Sequence, residues 1–300
     1  MPDAFVDEIR AACARVAGRA RHVRIAEAAI EPYARLLPAD SPPAPDLEGT
    51  DLEQRAAFSL TLNAINFGSG WFPTLRKPPG LSGFRTVEAG LRARGPWPAD
   101  ELCTIEVAEV AATFGQEPGH ELMALFTHAL RELGERVRAD HDSSFAVLAR
   151  SGEGSAVALV ERLATWPSWK DVSAHDGEPV PFFKRAQIAA ADLHLTGIAP
   201  ARDIGRLTLF ADNLVPHVLR LDGILELEPE LVERIEDGRL LEHGSPQEVE
   251  IRACALHAVE LLVAAHGSTT ATAVDNVLWN RGALPRYKAR PRHRARTTAY

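Results

Sequence analysis

Two short runs constrain the fold of this chain more than any other feature: Phe182-Phe183-Lys184-Arg185-Ala186-Gln187-Ile188 and Phe210-Ala211-Asp212-Asn213-Leu214-Val215-Pro216. Each sets one chargeable side chain inside apolar sequence. Lysine is scarce, with only Lys77, Lys170, Lys184 and Lys288; every other basic chain is arginine or histidine. An amine beside Phe182, Phe183 and Ile188 is costly to bury unpaired, and so is a carboxylate after Leu209, Phe210 and Ala211. A fold that brings Lys184 and Asp212 together solves both problems. Partly buried pairs of this kind have perturbed protonation and collect at active sites. A structural ion pair, or two surface charges, satisfies the same spacing.

The 300 residues are enough for one large domain or two small ones. A hydrophobic share of 46% and a charged share of 25% describe an ordinary globular chain. The formal net charge of −8 disfavours general binding to nucleic-acid backbones, which calls for a basic surface. Cys13, Cys103 and Cys254 are far apart and odd in number, which argues against a disulfide framework and for a reducing compartment. CxxC and HExxH are absent, so no metal or cofactor is expected. The first residues carry acids and no long apolar core, and no run approaches the roughly 18 apolar residues of a membrane span. The expectation is a cytoplasmic protein with neither a nucleic-acid nor a membrane partner.

The periodicity is mostly helical. Residues 3–37 place Phe5, Ile9, Cys13 and Val16 at helical spacing, and Pro38, Pro42, Pro43 and Pro45 then force a loop. Helices are predicted over 52–67, 84–94, 100–114, 118–139 and 153–165. Near the end, Ser245, Pro246 and Glu248 spell a capping box, and the helix they open runs to a stop at Gly267. A further helix covers about 270–281. Strand signals are weak, with Ser144–Leu148 the clearest. The fold class predicted is mainly α with few short strands: one helical domain over 1–300, with room for an N-terminal helical subdomain over about 1–140. The last residues form a basic arm through Arg281, Arg286, Lys288, Arg290, Arg292, Arg294 and Arg296, suited to solvent or to a phosphate.

The segments PFFKRAQI, LFADNLVPHVLR, EVEIRACALHAVELL and VDNVLW follow the order and approximate spacing of the queuosine salvage protein family, which the chain resembles from about residue 50 to 282. NAINFGSGWFP (63–73), SSFAVLA (143–149) and TWPSWKDV (165–172) add to the likeness. The resemblance implies a mainly helical fold with a core like that of helix-hairpin-helix DNA glycosylases. It also implies hydrolysis of the N-glycosidic bond of queuosine 5′-monophosphate, releasing queuine and ribose 5-phosphate. A base glycosylase of the helix-hairpin-helix type and a general nucleotide N-glycosidase are the alternatives.

A 7-deazaguanine has carbon where guanine has N7, so protonation at that position cannot activate the departing base. More of the barrier must then be lowered on the sugar side, where the transition state resembles an oxocarbenium ion. Asp212 matches the family's catalytic aspartate, which would stabilise that cation and orient water. Lys184 matches the family's lysine and would hold Asp212 in place. Glu250 is the candidate acceptor for the guanine-like edge, with Glu248 partly committed to capping and Arg252 paired to one of them or to a base oxygen. Phe67, Trp71 and Trp279 offer stacking surfaces or core packing. Asn66 and Asp275 are polar residues in the matched blocks, and Arg185, His217 and the basic arm are candidates for the 5′-phosphate. Asn213 and Leu214 depart from the aromatic and arginine that many members carry after the catalytic aspartate.

Overall fold

The computed structural model describes residues 3–38 and 51–300; Pro42, Pro43 and Pro45 of the expected loop lie outside the described residues. Among these the chain is mainly helical, with four short strands in two separate antiparallel pairs. No described helix is long and apolar enough to cross a membrane.

Helix Pro246–His266 is the axis of the fold. It is buried on nearly every side over Glu248–Leu256, so other elements must surround it. Helices Asp3–Arg19, Glu27–Ala34, Val215–Leu221 and Ala271–Arg281 pack on it. Its ends follow the sequence signals. The Ser245 hydroxyl accepts the Glu248 N–H, the Glu248 carboxylate reaches back to the Gly244 N–H at 2.9 Å, and Gly267 closes the helix at φ 78°. One hydrophobic cluster runs from Val6 to Tyr287.

Several predicted boundaries shift for non-local reasons. The helical period over 3–37 is cut by a strand, Val23–Ile25, which pairs with Leu225–Leu227. The Glu250 carboxylate takes the N–H groups of Arg21 and His22 at 3.0 and 2.7 Å and so ends the first helix. The 100–114 region divides into Ala99–Thr104 and Val107–Thr113. The strand expected at Ser144–Leu148 is instead a helix, Phe145–Arg150. Ser144 caps it, and the Glu53 carboxylate accepts the N–H groups of Phe145 and Ala146, a contact 92 residues away in sequence. The hairpin Val172–His175/Glu178–Pro181 turns at Asp176-Gly177, both at positive φ, as a two-residue type I′ turn demands.

The basic arm is tied down. Leu241 donates to the Arg294 carbonyl, Asn213 to the His293 carbonyl, and Gly68 to the Tyr300 carbonyl. Gly70 makes room for it: a Cβ there would meet the Ala295 carbonyl oxygen at 2.5 Å.

Candidate active site

Strand Glu178–Pro181 leads through Phe182 and Phe183 into helix Lys184–Leu195, so Lys184 is the first residue of a helix and is buried. Its Nζ donates to the Asn66 carbonyl at 3.0 Å. Burial pushes the amine down to about 8, while Asp212 pulls it up, Arg185 depresses it further and Asp275 again raises it. At neutral pH it therefore remains mostly an ammonium.

Asp212 precedes helix Val215–Leu221. Its Oδ1 accepts the N–H groups of Leu214 and Val215 at 2.7 and 3.2 Å, which fixes the carboxylate over the helix start. Its second oxygen is left without a protein partner among the described residues. Lys184 and Asp212 line the same cavity, of about 610 Å³. They attract each other across it but form no ion pair within 4.0 Å, so the direct pair anticipated from sequence is replaced by a facing arrangement.

Asp275, from helix Ala271–Arg281, also lines the cavity. One of its oxygens accepts the Phe210 N–H at 3.2 Å. Burial first, and then the Asp212 charge, hold its carboxyl well above the usual carboxylate range. Two carboxyl groups thus line one cavity, and the Asp212 charge is one of the causes that raise Asp275. Asn66 and Phe67 line the same cavity. So does Trp279, with the Phe84 ring edge-on at 6.2 Å and the Arg85 guanidinium 5.2 Å from its centre.

His217 is in the wall, but not as a cation. Its Nε2 donates to the Tyr287 carbonyl at 2.9 Å, and burial pushes the ring down to about 4. A positive group comes from the arm instead. Arg292 reaches the cavity half-buried, with no protein partner for its guanidinium among the described residues and with Asp212 opposing the effect of burial on its charge. Lys288 stands at the same wall. The sequence marked the arm as a whole; the packing brings Lys288, Arg290 and Arg292 to the wall, with Arg290 held by Glu236.

Five anticipated residues do not reach the cavity. Arg185 is fully buried and spends its donors on the carbonyls of Ala64 and Ser168, with its guanidinium 4.9 Å from the Phe67 ring centre. It cannot hold a phosphate there. Trp71 Nε1 donates to Glu121 at 2.7 Å, and Arg296 of the arm lies over its ring. Glu248 caps its helix with Oε2, while its buried Oε1 lies 3.9 Å from Arg252 Nη1. The Glu250 carboxylate binds the backbone at Arg21 and His22 and the His175 ring at 3.1 Å, so it holds the first strand rather than a base. Arg252 grips Asp171, at 2.9 and 2.7 Å. Apart from Glu248, these polar groups are satisfied by partners distant in sequence, and spacing along the chain does not reveal which.

The neutral histidines make stability depend on pH. His293 is pushed down to about 3 by burial, and His217 to about 4, against 6.5 for a free ring. Their contribution is whole above about pH 6.5 and is lost as pH falls towards those values, because the unfolded chain binds protons that the fold refuses. Unfolding free energies from urea titrations between pH 7 and pH 4.5 should fall more steeply for the wild type than for His293→Asn, by up to about 1.4 kcal/mol per pH unit. Parallel curves would mean that His293 carries its proton in the fold.

A family model described as queuosine salvage protein matches residues 48–300. The chain belongs to the queuosine salvage protein family. A Sphaerobacter thermophilus relative is 36% identical over 67% of this chain and 65% of its own length. One from Dictyostelium discoideum is 30% identical over 84% of this chain and 80% of its own length. A Bos taurus relative is 36% identical over 44% of this chain and 40% of its own. Each carries the name queuosine 5′-phosphate N-glycosylase/hydrolase. The match thus spans just under two thirds of the Sphaerobacter protein. Family membership accounts for the blocks around Lys184 and Asp212, which the fold brings to one cavity.

Proposed function

We propose that this chain hydrolyses queuosine 5′-monophosphate to queuine and ribose 5-phosphate, as a single unit in the cytoplasm. The observation that carries this reading is the cavity shared by Lys184, Asp212 and Asp275, in a family whose relatives bear that activity in their names. Its volume of about 610 Å³ lies within the range of small-molecule sites. The free thiols Cys13, Cys103 and Cys254 support a reducing compartment. A helical fold with its cavity between helices is compatible with a core of the helix-hairpin-helix glycosylase type.

In this reading the C–N bond breaks as positive charge grows at the anomeric carbon, and its electron pair leaves with the base. The partner-free oxygen of Asp212 stabilises that charge and takes the proton from the attacking water, which becomes the new hydroxyl of the sugar. Asp275, whose carboxyl burial and the Asp212 charge hold well above the usual range, is the group that gives a proton to the leaving base. Lys184 balances the Asp212 charge. Trp279 and Phe84 offer the base a stacking surface, and Asn66 a polar contact. Arg292 and Lys288 offer the 5′-phosphate its donors.

Incubation with queuosine 5′-monophosphate and mass detection of free queuine is the direct test. Binding without release would reduce the chain to a carrier. Guanosine 5′-monophosphate cleaved as fast would leave a general nucleotide N-glycosidase, and base release from an oligonucleotide would favour the glycosylase alternative. Arg292→Ala should lower kcat/KM for the nucleotide by about 10- to 100-fold, the scale of one charged hydrogen bond of 1.5–3 kcal/mol, and leave queuosine itself unaffected. An equal loss for both substrates would move the phosphate away from Arg292.

A further inference from the structure

Behind the cavity lies a buried ion pair that the reaction above does not use. Arg252 grips Asp171 with both arms of its guanidinium, and its Nε donates to the Ala211 carbonyl at 2.9 Å, one residue before Asp212. Asp171 faces the other way along the chain. Its carboxylate accepts the Lys184 N–H at 3.0 Å, and its own carbonyl accepts the N–H groups of Phe182 and Phe183 at 2.9 and 3.3 Å. All of Arg252's hydrogen bonds therefore lead, in one or two steps, to the segments that carry Lys184 and Asp212. The guanidinium is stacked between two rings, 3.9 Å from the centre of Phe182 and 4.4 Å from that of Tyr300.

The backbone beside the pair is strained. Phe183 sits in the left-handed region, φ 48° and ψ 42°, directly before Lys184. A bulky residue adopts this conformation only where its surroundings over-determine it. Asp171 does so, holding the residues on both sides of Phe183 and Phe183 itself. A buried ion pair is weak as a source of stability, since an apolar substitute often serves the fold as well. What this pair supplies, and an apolar pair would not, is a set of directed bonds to two separate segments.

We propose that the Asp171–Arg252 pair, with Phe182 and Tyr300, is a positioning clamp that fixes Lys184 and Asp212 relative to each other. Arg252 and Asp171 touch no substrate and act through the other two residues. The effect on rate rests on the assignment of Lys184 and Asp212 as catalytic; the effect on geometry does not.

Arg252→Lys keeps the charge and removes the fork. It should lower kcat at least tenfold while KM stays within threefold of wild type. In a Lys184→Met background the same change should cost at least threefold less in kcat than it does in the wild type, because one of the two groups it positions is already gone. An additive cost, or a rise in KM with kcat unchanged, would make Arg252 an ordinary structural residue and overturn the proposal. Residue-resolved amide exchange supplies a readout without substrate. The amides of Lys184 and Leu214 should exchange at least tenfold faster in Arg252→Lys, with core amides such as Leu256 little changed. Unchanged exchange at Lys184 overturns the clamp, whatever the turnover. Failure of the wild type to release queuine overturns the function and leaves the exchange test standing. If Arg252→Lys does not fold, Phe182→Leu, which removes one face of the stack, should show the same split between kcat and KM at smaller amplitude; a split absent there too overturns the proposal.

Discussion

Asp212→Asn is expected to fold, to bind queuosine 5′-monophosphate with little change in KM, and to turn it over at least about 10²-fold more slowly. The fold should survive because an amide oxygen can still accept the Leu214 and Val215 N–H groups that now bind Oδ1. What disappears is the negative charge. In water that charge would be partly replaced by solvent. Within a cavity beside Lys184 and Asp275 it is not, so the growing cation would lose its main stabilising partner. Single-turnover release of queuine, followed alongside a melting curve, checks both halves. Near-normal turnover in a folded variant would remove Asp212 from the reaction.

Lys184→Met should produce an enzyme that is slower by about 10- to 100-fold, yet more stable. The wild-type amine is pushed by burial from 10.5 to about 8, so the fold disfavours its charged form. The sign follows from proton counts. Between pH 8 and 10.5 the unfolded chain holds a proton that the folded chain has lost, so wild-type stability rises with pH across that window. Below pH 8 the ammonium is retained at a cost. The interval of 10.5 minus 8 at about 1.4 kcal/mol per pH unit bounds the gain on removing it at roughly 3.5 kcal/mol. Methionine fills the same space with no charge to desolvate. The rate should also change shape. Wild-type activity is expected to fall as pH passes about 8, when Lys184 loses the charge that faces Asp212, and this limb should be missing in the variant. Asp212, Arg185, Asp275 and Asp171 all act on this amine, so the limb reports on the group of charges as a whole. Borohydride with substrate should trap no adduct on Lys184; a trapped imine would replace hydrolysis with amine catalysis. A variant that is both inactive and less stable, with its alkaline limb intact, would refute this account of Lys184.

The candidate site was legible where the signal was local. A lone lysine and a lone aspartate in apolar runs mark groups whose burial needs compensation, and both reach one cavity. Ser245, Glu248 and Gly267 set the ends of the central helix through bonds a few residues long. Asp275, Asn66, Phe67, Trp279 and His217 also stand in the cavity wall, although His217 does so as a neutral ring. Glu250, Arg185, Trp71 and Arg252 carried equally strong polar or aromatic signals and went elsewhere. Each met a partner far away in sequence: the backbone at Arg21 and His22, the carbonyls of Ala64 and Ser168, Glu121, and Asp171. Arg292 was one cation among several in an arm offered for the phosphate, and only the packing of that arm shows that it lines the cavity with Asp212. Helical period, caps and the need to compensate a buried charge are properties of neighbouring residues, so a linear chain displays them. The identity of the compensating partner depends on which segments pack together, and that choice exists only once the helices have closed around Pro246–His266.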